Sequence, residues 1–300
     1  MKLHHLRDVL AVAERGSLRA AARYLGLAQP ALSRSIREIE RDLGTALFER
    51  RARGMVATPA GELFLRRARL VQSELQRARD EIDQSRGLMH GRVTVGLSSV
   101  SHIALFPYAL RAFTDRYPDV LLDVHDGVYP TIEASLADGT LDCYIGPPPV
   151  HLPSNFSSEK LFDNMRFILG RKGHPLAGAR TLSELTQARW IGTSITHRPE
   201  EEIAPMFARH GLPAPQFVVQ ARSAMTSIIA VAHSDLLAML PVQFTQFALI
   251  GDALQRINVT EPLPGPPICI IRRSALPLTP VAEYFCDMIR RASAHVGARP

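Results

Sequence analysis

The sequence predicts a multidomain protein in which a small, mainly α N-terminal domain and a long connecting helix precede a larger α/β domain. Three observations support this fold class. The chain has 300 residues, which is more than one hydrophobic core usually serves. Apolar residues follow helical spacing in most of the chain up to residue 85. From residue 93 onward, β-rich runs alternate with helical stretches, as in βαβ units with a parallel sheet.

The charged residues are distributed unevenly. Residues 1–92 contain 18 Lys and Arg against 11 Asp and Glu, a net charge of +7, whereas residues 93–300 contain 17 against 18, a net charge of −1. This distribution indicates a polyanion-binding domain attached to a nearly neutral one. The composition, with 46% hydrophobic and 21% charged residues, excludes a disordered or collagen-like chain.

The cysteines and the apolar segments limit the compartment and the chemistry. Cys143, Cys269 and Cys286 have no metal-ligand or disulfide-framework spacing, so we expect reduced core thiols, no metal site and no cofactor. The first residues lack the apolar stretch of a signal peptide. No segment reaches the roughly 20 apolar residues of a transmembrane helix. We therefore expect a cytoplasmic protein without a membrane partner.

Glycine, serine and proline delimit three short helices at the N-terminus. Gly16, Gly26 and Gly44 are placed to end them, Ser17 to cap the second and Pro30 to open the third. The third helix is apolar on one side and polar on the other. Two short helices joined by a tight turn predict a helix-turn-helix whose second helix enters the major groove of DNA. The alternative is a helical hairpin of an enzyme, with surface arginines.

Residues 47–59 favour the first interpretation because they predict a β-wing. Apolar residues flank a turn that contains basic residues and glycine: Arg50, Arg51, Arg53 and Gly54. The tip of such a wing would lie along a phosphate backbone.

A long helix is predicted from Thr58-Pro59 to about Ser85. Its apolar residues recur at alternating intervals of four and three, the heptad pattern of a coiled-coil dimer. The predicted seam consists of Phe64, Ala68, Val71, Leu75, Ala78 and Ile82. A long amphipathic helix packed on its own domain is the alternative. His90-Gly91 is interpreted as a hinge.

The stretch from Leu6 to Gly61 contains GSLRAAARYLGLAQPALSR, LGTALFER and TPAG in order and resembles the DNA-binding domain of LysR-type transcriptional regulators. One departure is Val9, where the family has phenylalanine. The resemblance implies a winged helix-turn-helix in residues 1–58, a linker and dimerisation helix in 59–90, and an effector-binding domain in 91–300. That domain would be an α/β fold like the type-2 periplasmic binding proteins, with two Rossmann-like subdomains formed by 91–162 with 268–300 and by 163–267.

The resemblance also implies contacts and partners. The residues expected at DNA are Ser17, Gln29, Pro30, Ala31, Ser33, Arg34, Arg37, Arg50 and Arg53. Arg34 can read guanine and Gln29 can read adenine, while Ser33 or Ser35 can bind phosphate. The expected partners are double-stranded DNA with an interrupted palindromic operator, RNA polymerase, and copies of the chain in a homodimer that assembles into a homotetramer.

Ligands of such domains bind at the carboxyl ends of strands, where the two subdomains meet. We expect the chain to cross between subdomains near residues 161–164 and 266–268. Hydroxyl-bearing segments follow three predicted strands, although a single Ser or Thr there is more often a helix cap. The predicted effector-binding residues are Ser98, Ser99, Val100, Ser101, Tyr129, Pro130, Thr131, Pro147, Thr193, Ser194, Thr196, Met225 and Pro241.

These residues predict that the small-molecule effector is a carboxylate or sulfonate. Aromatic acids belong to this predicted class. The stretches DGVYPTIEASLADGTLD and VAHSDLLAMLP resemble regulators of aromatic-sulfonate degradation. Because residues 93–300 carry almost no net charge, we expect hydroxyls and helix N-termini, rather than a general positive field, to bind the anion.

The predicted function is therefore DNA-binding transcriptional regulation in response to a small effector. The motifs GxSxG, HExxH, GxxxxGK[ST] and strand-associated GxGxxG are missing from the sequence, so no enzymatic activity is expected. The alternative is a ligand binder like the solute-binding proteins, or an enzyme, that carries an accessory nucleic-acid-binding module.

Overall fold

The computed structural model of the chain describes residues 1–52, 54–193, 199–246 and 253–296. The chain divides into two compact units, residues 1–88 with 137–141 and residues 89–136 with 142–300. Among the described residues, no helix is both long and apolar enough to cross a membrane.

Three helices open the first unit, and their ends follow the predicted punctuation. They are α1 Leu3–Arg15, α2 Leu18–Leu25 and α3 Gln29–Leu43. The Ser17 hydroxyl accepts a hydrogen bond from the Ala20 amide at 3.1 Å, as a helix cap does. Gly16 and Gly26 follow α1 and α2 in the left-handed conformation, with φ of +67° and +65°, which glycine adopts without steric cost. The predicted caps and stops are confirmed.

The wing and the long helix follow in order. Strands β1 Phe48–Arg51 and β2 Gly54–Ala57 pair antiparallel, and α4 spans Pro59–Ser85. The Thr58 hydroxyl caps α4 by accepting from the Gly61 amide at 3.0 Å. Gly61 lies so close to the preceding segment that a Cβ atom there would be 2.0 Å from the carbonyl oxygen of Leu47. The start of α4 is therefore fixed against the wing by direct backbone contact.

The second unit is built on a mixed sheet that contains nine strands among the described residues, in the order β4-β3-β5-β11-β6-β9-β7-β8, with β10 paired to β6. The strands are β3 Gly91–Leu97, β4 Val120–Asp126, β5 Cys143–Gly146, β6 Phe156–Arg171, β7 Arg189–Thr193, β8 Gln216–Ala221, β9 Leu236–Pro241, β10 Leu254–Ile257 and β11 Pro264–Arg273. The helices are α5 Ser99–Ala104, α6 Phe106–Arg116, α7 Tyr129–Ala137, α8 Pro199–Ala208, α9 Ala224–Ala232 and α10 Pro280–Val296.

Two parallel groups of strands form the halves of this sheet. β3 lies parallel to β4 and β5, and β7 lies parallel to β8 and β9. The long strands β6 and β11 run antiparallel between the two groups, and the predicted crossing segments fall on them, where Phe162 pairs with Ile268. The second unit thus has the predicted α/β architecture with two halves.

The C-terminal helix packs onto the half that contains β3. Phe285 of α10 is fully buried against Phe113 of α6, with ring centroids 5.6 Å apart. The thiols of Cys286 and Cys143 lie 3.6 Å apart in the same core. The hydrogen bond from Cys286 and the burial of the site raise the pKa of the Cys143 thiol. Both thiols are free and buried.

Candidate DNA interface and ligand cleft

Helix α3 presents the predicted base-reading side chains to solvent. Its apolar stripe, which includes Leu32, Ile36 and Ile39, is buried in the N-terminal core. The opposite side of α3 therefore faces solvent. Of the predicted DNA-contacting residues on this helix, Ser33 is half-buried and the others are exposed: Gln29, Pro30, Ala31, Arg34 and Arg37.

Ser35 is the exception, and its predicted phosphate contact is wrong. Its side chain is buried, and the hydroxyl donates to Oδ2 of Asp8 at 2.6 Å. Asp8 is itself buried and also accepts from Arg7 at 2.9 Å. The serine therefore joins α3 to α1 and has no hydroxyl left for phosphate.

The wing places basic side chains on the same unit. Arg50 and Arg51 of β1 are exposed. Arg51 contacts Glu49 at 2.9 Å, which offsets part of its positive charge. Arg53, the predicted contact at the tip, lies outside the described residues. The Ser17 hydroxyl oxygen accepts the capping hydrogen bond of α2. A phosphate contact by this hydroxyl would be additional to its role as a helix cap.

Helix α4 divides the predicted seam into two parts. Ala68 is 1% exposed and Phe64 is half-buried, and both pack into the core of their own unit. The burial of Ala68 makes it unavailable to a partner helix, so the seam is corrected at this residue, while half-buried Phe64 stays a predicted seam residue. The remaining seam residues Val71, Leu75, Ala78 and Ile82 are exposed.

A cleft opens in the second unit where the two halves of the sheet meet, with a volume of about 620 Å³ when the open solvent at its mouth is included. Five of the predicted effector-binding residues line it: Ser98, Ser99, Val100, Pro147 and Pro241. Further apolar residues of the lining come from the half of the sheet that contains β7, β8 and β9. They are Ile203, Met239, Leu240 and Phe244. Pro130 lines a neighbouring hollow of about 900 Å³ that shares Arg166, Glu202 and Pro266 with the cleft.

Four of the predicted effector residues do not line the cleft. The Ser101 hydroxyl is fully buried and donates to the carbonyl of Ile145 at 2.8 Å. Thr131 is exposed and donates to the carbonyl of Val128 at 2.8 Å. Met225 is exposed, and its neighbour Ala224 lines the cleft instead.

The fourth, Tyr129, is a core residue. Its ring packs edge-on against Tyr144 and Phe156, with centroids 6.3 Å away in both cases. Burial raises the pKa of Tyr129 to about 12, so the phenol stays neutral. Thr193 ends β7, and nothing is described of its side chain. Ser194 and Thr196 lie outside the described residues.

The strongest polar feature of the cleft is a charged pair that sequence reasoning missed. Arg166 on β6 forms an ion pair with Glu202 on α8, and their side chains are 8% and 15% exposed. The Arg166 guanidinium also lies 4.0 Å from the Met206 sulfur. The sequence analysis expected hydroxyls and helix N-termini to bind an anion here, and the structure adds the guanidinium of Arg166 to the cleft.

Asn164 lies two residues before Arg166 on the same strand and is 3% exposed. Its Oδ1 has no hydrogen-bond partner among the described residues, which is unusual for a buried acceptor. The alternation of side chains along β6 could have predicted that Asn164 and Arg166 lie on the same side as buried Phe162. Asp163 and Met165, between them in the sequence, are exposed. For Glu202, the third of three consecutive glutamates, no signal was present.

A helix-turn-helix domain joined to an α/β domain with a ligand cleft defines a ligand-responsive DNA-binding regulator. Residues 3–62 match the model of the bacterial regulatory helix-turn-helix protein, lysR family, and residues 86–294 match that of the LysR substrate binding domain. The second match alone covers more than half of the chain. The chain belongs to the LysR family of transcriptional regulators, which are not enzymes.

Relatives resemble the chain over most of its length. It is 27% identical to the HTH-type transcriptional regulator GalR of Pseudomonas putida over 95% of this chain and 72% of the relative. It is 24% identical to TdcA of Escherichia coli over 99% of this chain and 95% of TdcA. It is 36% identical to CbbR of Sinorhizobium medicae over 63% of this chain and 60% of CbbR.

Solved structures share the fold. The crystal structure of CbnR, a LysR family transcriptional regulator, superposes with a TM-score of 0.72 at 22% identity, over 98% of this chain and 99% of that one. A full-length OxyR variant from Pseudomonas aeruginosa gives 0.72 at 21% identity, over 97% and 95%. CbnR complexed with its target DNA gives 0.71 at 23% identity, over 97% and 100%. These likenesses extend to both domains.

Proposed function

We propose that this regulator controls transcription in response to a small carboxylate or sulfonate, aromatic acids included, that binds in the cleft of its second unit. The observation that carries the proposal is the buried guanidinium of Arg166. A guanidinium binds planar or tetrahedral anions through paired N–H groups, and it does so most strongly where water is excluded. Phe244 and the cleft prolines offer apolar contacts to the rest of the molecule.

Residues from both halves of the sheet line the cleft, so a ligand that contacts both favours their closed arrangement. A ligand changes DNA binding only as far as it binds one arrangement better than the other. Closure would alter the spacing of paired helix-turn-helix domains on an interrupted palindromic operator. That change would move DNA contacts toward or away from RNA polymerase in the cytoplasm.

The test is a thermal-shift screen of small aromatic and aliphatic acids on the full chain, followed by DNase footprinting of the promoter region next to its gene. An effector present at 100 times its dissociation constant should stabilise the protein by about 2.7 kcal/mol. The same acid should change the footprint. Acids that neither stabilise the protein nor alter its footprint at millimolar concentration would refute the proposal.

We expect the arginines of α3 and of the wing to act differently on DNA. Arg34→Ala should weaken operator binding by about 1–3 kcal/mol and leave non-specific binding nearly unchanged, because a bidentate arginine distinguishes guanine from other bases. Arg50→Ala should weaken both equally and lower the salt dependence by about one phosphate contact, because a wing arginine neutralises backbone charge. Gel shifts over a salt series, on operator and on scrambled DNA, measure both effects.

Equal losses of specific and non-specific affinity in the Arg34 variant would make this residue a phosphate contact. A base-selective loss in the Arg50 variant would make the wing a reader of sequence.

The exposed half of the α4 seam supports association of two copies. We expect Leu75→Glu to abolish the seam dimer and to lower operator affinity by at least about 100-fold, because two linked half-site domains gain a factor of about 10²–10⁴ from their effective concentration. Gln72→Glu adds the same charge at an exposed position outside the seam and should leave the assembly intact. Sedimentation velocity measures the assembly, and a Leu75→Glu protein that keeps the wild-type assembly would contradict the seam.

A homotetramer needs a second contact between copies. The sheet ends in the strands β4 and β8, and both carry exposed apolar residues, Leu121 on β4 and Val219 on β8. Exposed strand edges of this kind favour pairing between chains. A contact through one of these edges would join two seam dimers into the tetramer.

A further inference from the structure

We infer that the effector is a zwitterion, an amino carboxylate or amino sulfonate that brings a positive charge beside its anionic group. The inference rests on the proposed function and narrows it, because it concerns the same cleft and the same Arg166. Three observations carry it: the charge balance of the cleft, the unpartnered acceptor of Asn164, and the apolar remainder of the lining.

The charge balance comes first. The side chains of Arg166 and Glu202 are 8% and 15% exposed and pair with each other. A plain anion bound to Arg166 would bring a second negative charge beside the Glu202 carboxylate, in a place with little water to stabilise it. A zwitterion adds no net charge. Its anionic group can bind Arg166 while its ammonium group binds Glu202.

The side chain of Asn164 also favours a ligand with an amino group. Its Oδ1 is buried and has no partner in the described part of the chain. An amide oxygen only accepts hydrogen bonds, a carboxylate or sulfonate offers no donor, and an ammonium offers three. Asn164 and Arg166 lie on the same side of β6, so an amino group next to the anionic group can satisfy Oδ1 and Glu202 together.

The other walls of the cleft define the rest of the ligand. Ile203, Met239, Leu240 and Phe244 are apolar, and Ser98 and Ser99 are uncharged. Among the described residues, these walls offer no charged partner to a second charged group. The site therefore suits an amino acid or aminosulfonic acid whose remaining part is uncharged and largely apolar.

Isothermal titration calorimetry on the full chain tests the inference with matched probes. The probes are the twenty standard amino acids and taurine, each compared with the acid that lacks its amino group, such as L-phenylalanine with 3-phenylpropionate and taurine with ethanesulfonate. We expect at least one amino compound to bind at least tenfold more tightly than its deaminated counterpart.

Glu202→Gln then reverses the preference. This variant keeps the size of the side chain and removes its charge, so the amino compound should bind at least tenfold more weakly and its deaminated counterpart at least tenfold more tightly. Glu201→Gln removes the same charge from an exposed neighbouring position and should leave both affinities unchanged. Melting temperature and ligand-free operator binding report whether each variant folds.

The outcomes separate this inference from the proposed function. Plain acids that bind the wild type as tightly as their amino counterparts overturn the zwitterion and leave the anion site in place. A Glu202→Gln protein in which both affinities change equally also overturns it. If neither series binds, the proposed function fails and the inference fails with it.

Discussion

Loss of the Arg166 side chain is expected to reduce affinity for the effector by at least about 100-fold, or about 2.7 kcal/mol, while ligand-free operator affinity stays unchanged. Truncating one partner of a buried charge pair costs about 2–5 kcal/mol of binding. Arg166→Gln alone would also remove the guanidinium that pairs with the Glu202 carboxylate, and the loss of one member of such a pair destabilises a fold. The double variant Arg166→Gln with Glu202→Gln removes both charges and separates binding from folding.

Titration of the acid selected by the thermal-shift screen measures this effect in the wild type and in both variants. Arg209→Gln is the matched control, because Arg209 is exposed and lines only the neighbouring hollow. If the double variant is folded and keeps its affinity within threefold, Arg166 is not the partner of the anion. The cleft would then bind its ligand by apolar contacts and hydroxyl groups alone.

Gly61→Ala should cost the N-terminal unit about 3 kcal/mol or more. The added Cβ would lie 2.0 Å from the backbone oxygen of Leu47, and neither backbone can yield without disturbing the wing or the start of α4. Overpacking of this kind typically costs about 1–3 kcal/mol, and more where rigid atoms collide. Operator binding should fall along with stability, while effector binding by the second unit is kept.

Thermal unfolding with and without the effector measures both results. Gly178→Ala serves as the control, because a Cβ there has no atom within 4 Å. An unchanged melting transition and unchanged operator binding in Gly61→Ala would show that α4 does not need this close contact with the wing.

The N-terminal unit was largely predictable because its signals are local. A glycine with positive φ ends a helix, a serine caps the next one, and a proline opens the third, and each of these acts within about four residues of its own position. Gly16, Gly26 and Gly44 placed the ends of α1, α2 and α3, and Ser17 and Pro30 placed the starts of α2 and α3. The burial of Ser35 was not predictable in this way, because its partner Asp8 lies on another helix.

The position of the cleft could be predicted from the sequence, but the residues that line it could be predicted only in part. The alternation of strands and helices located the edge where β3, β5 and β9 end. Of the three hydroxyl-bearing segments, the one at Ser98 and Ser99 lines the cleft, together with the predicted Pro147 and Pro241. Hydroxyl groups were overestimated because a serine that follows a strand can point inward, as Ser101 does toward Ile145. Arg166 and Glu202 are 36 residues apart, and only the tertiary fold brings them together.

Hydrogen–deuterium exchange of the full chain, with and without the acid selected by the screen, tests most directly that the effector binds in this cleft. We predict slower exchange in residues 162–167 of β6, in 200–203 of α8 and in 239–244 around the end of β9, because these segments contribute Arg166, Glu202 and Phe244 to the lining. Unchanged exchange in these three segments at saturating ligand, with protection elsewhere, would contradict binding in the cleft.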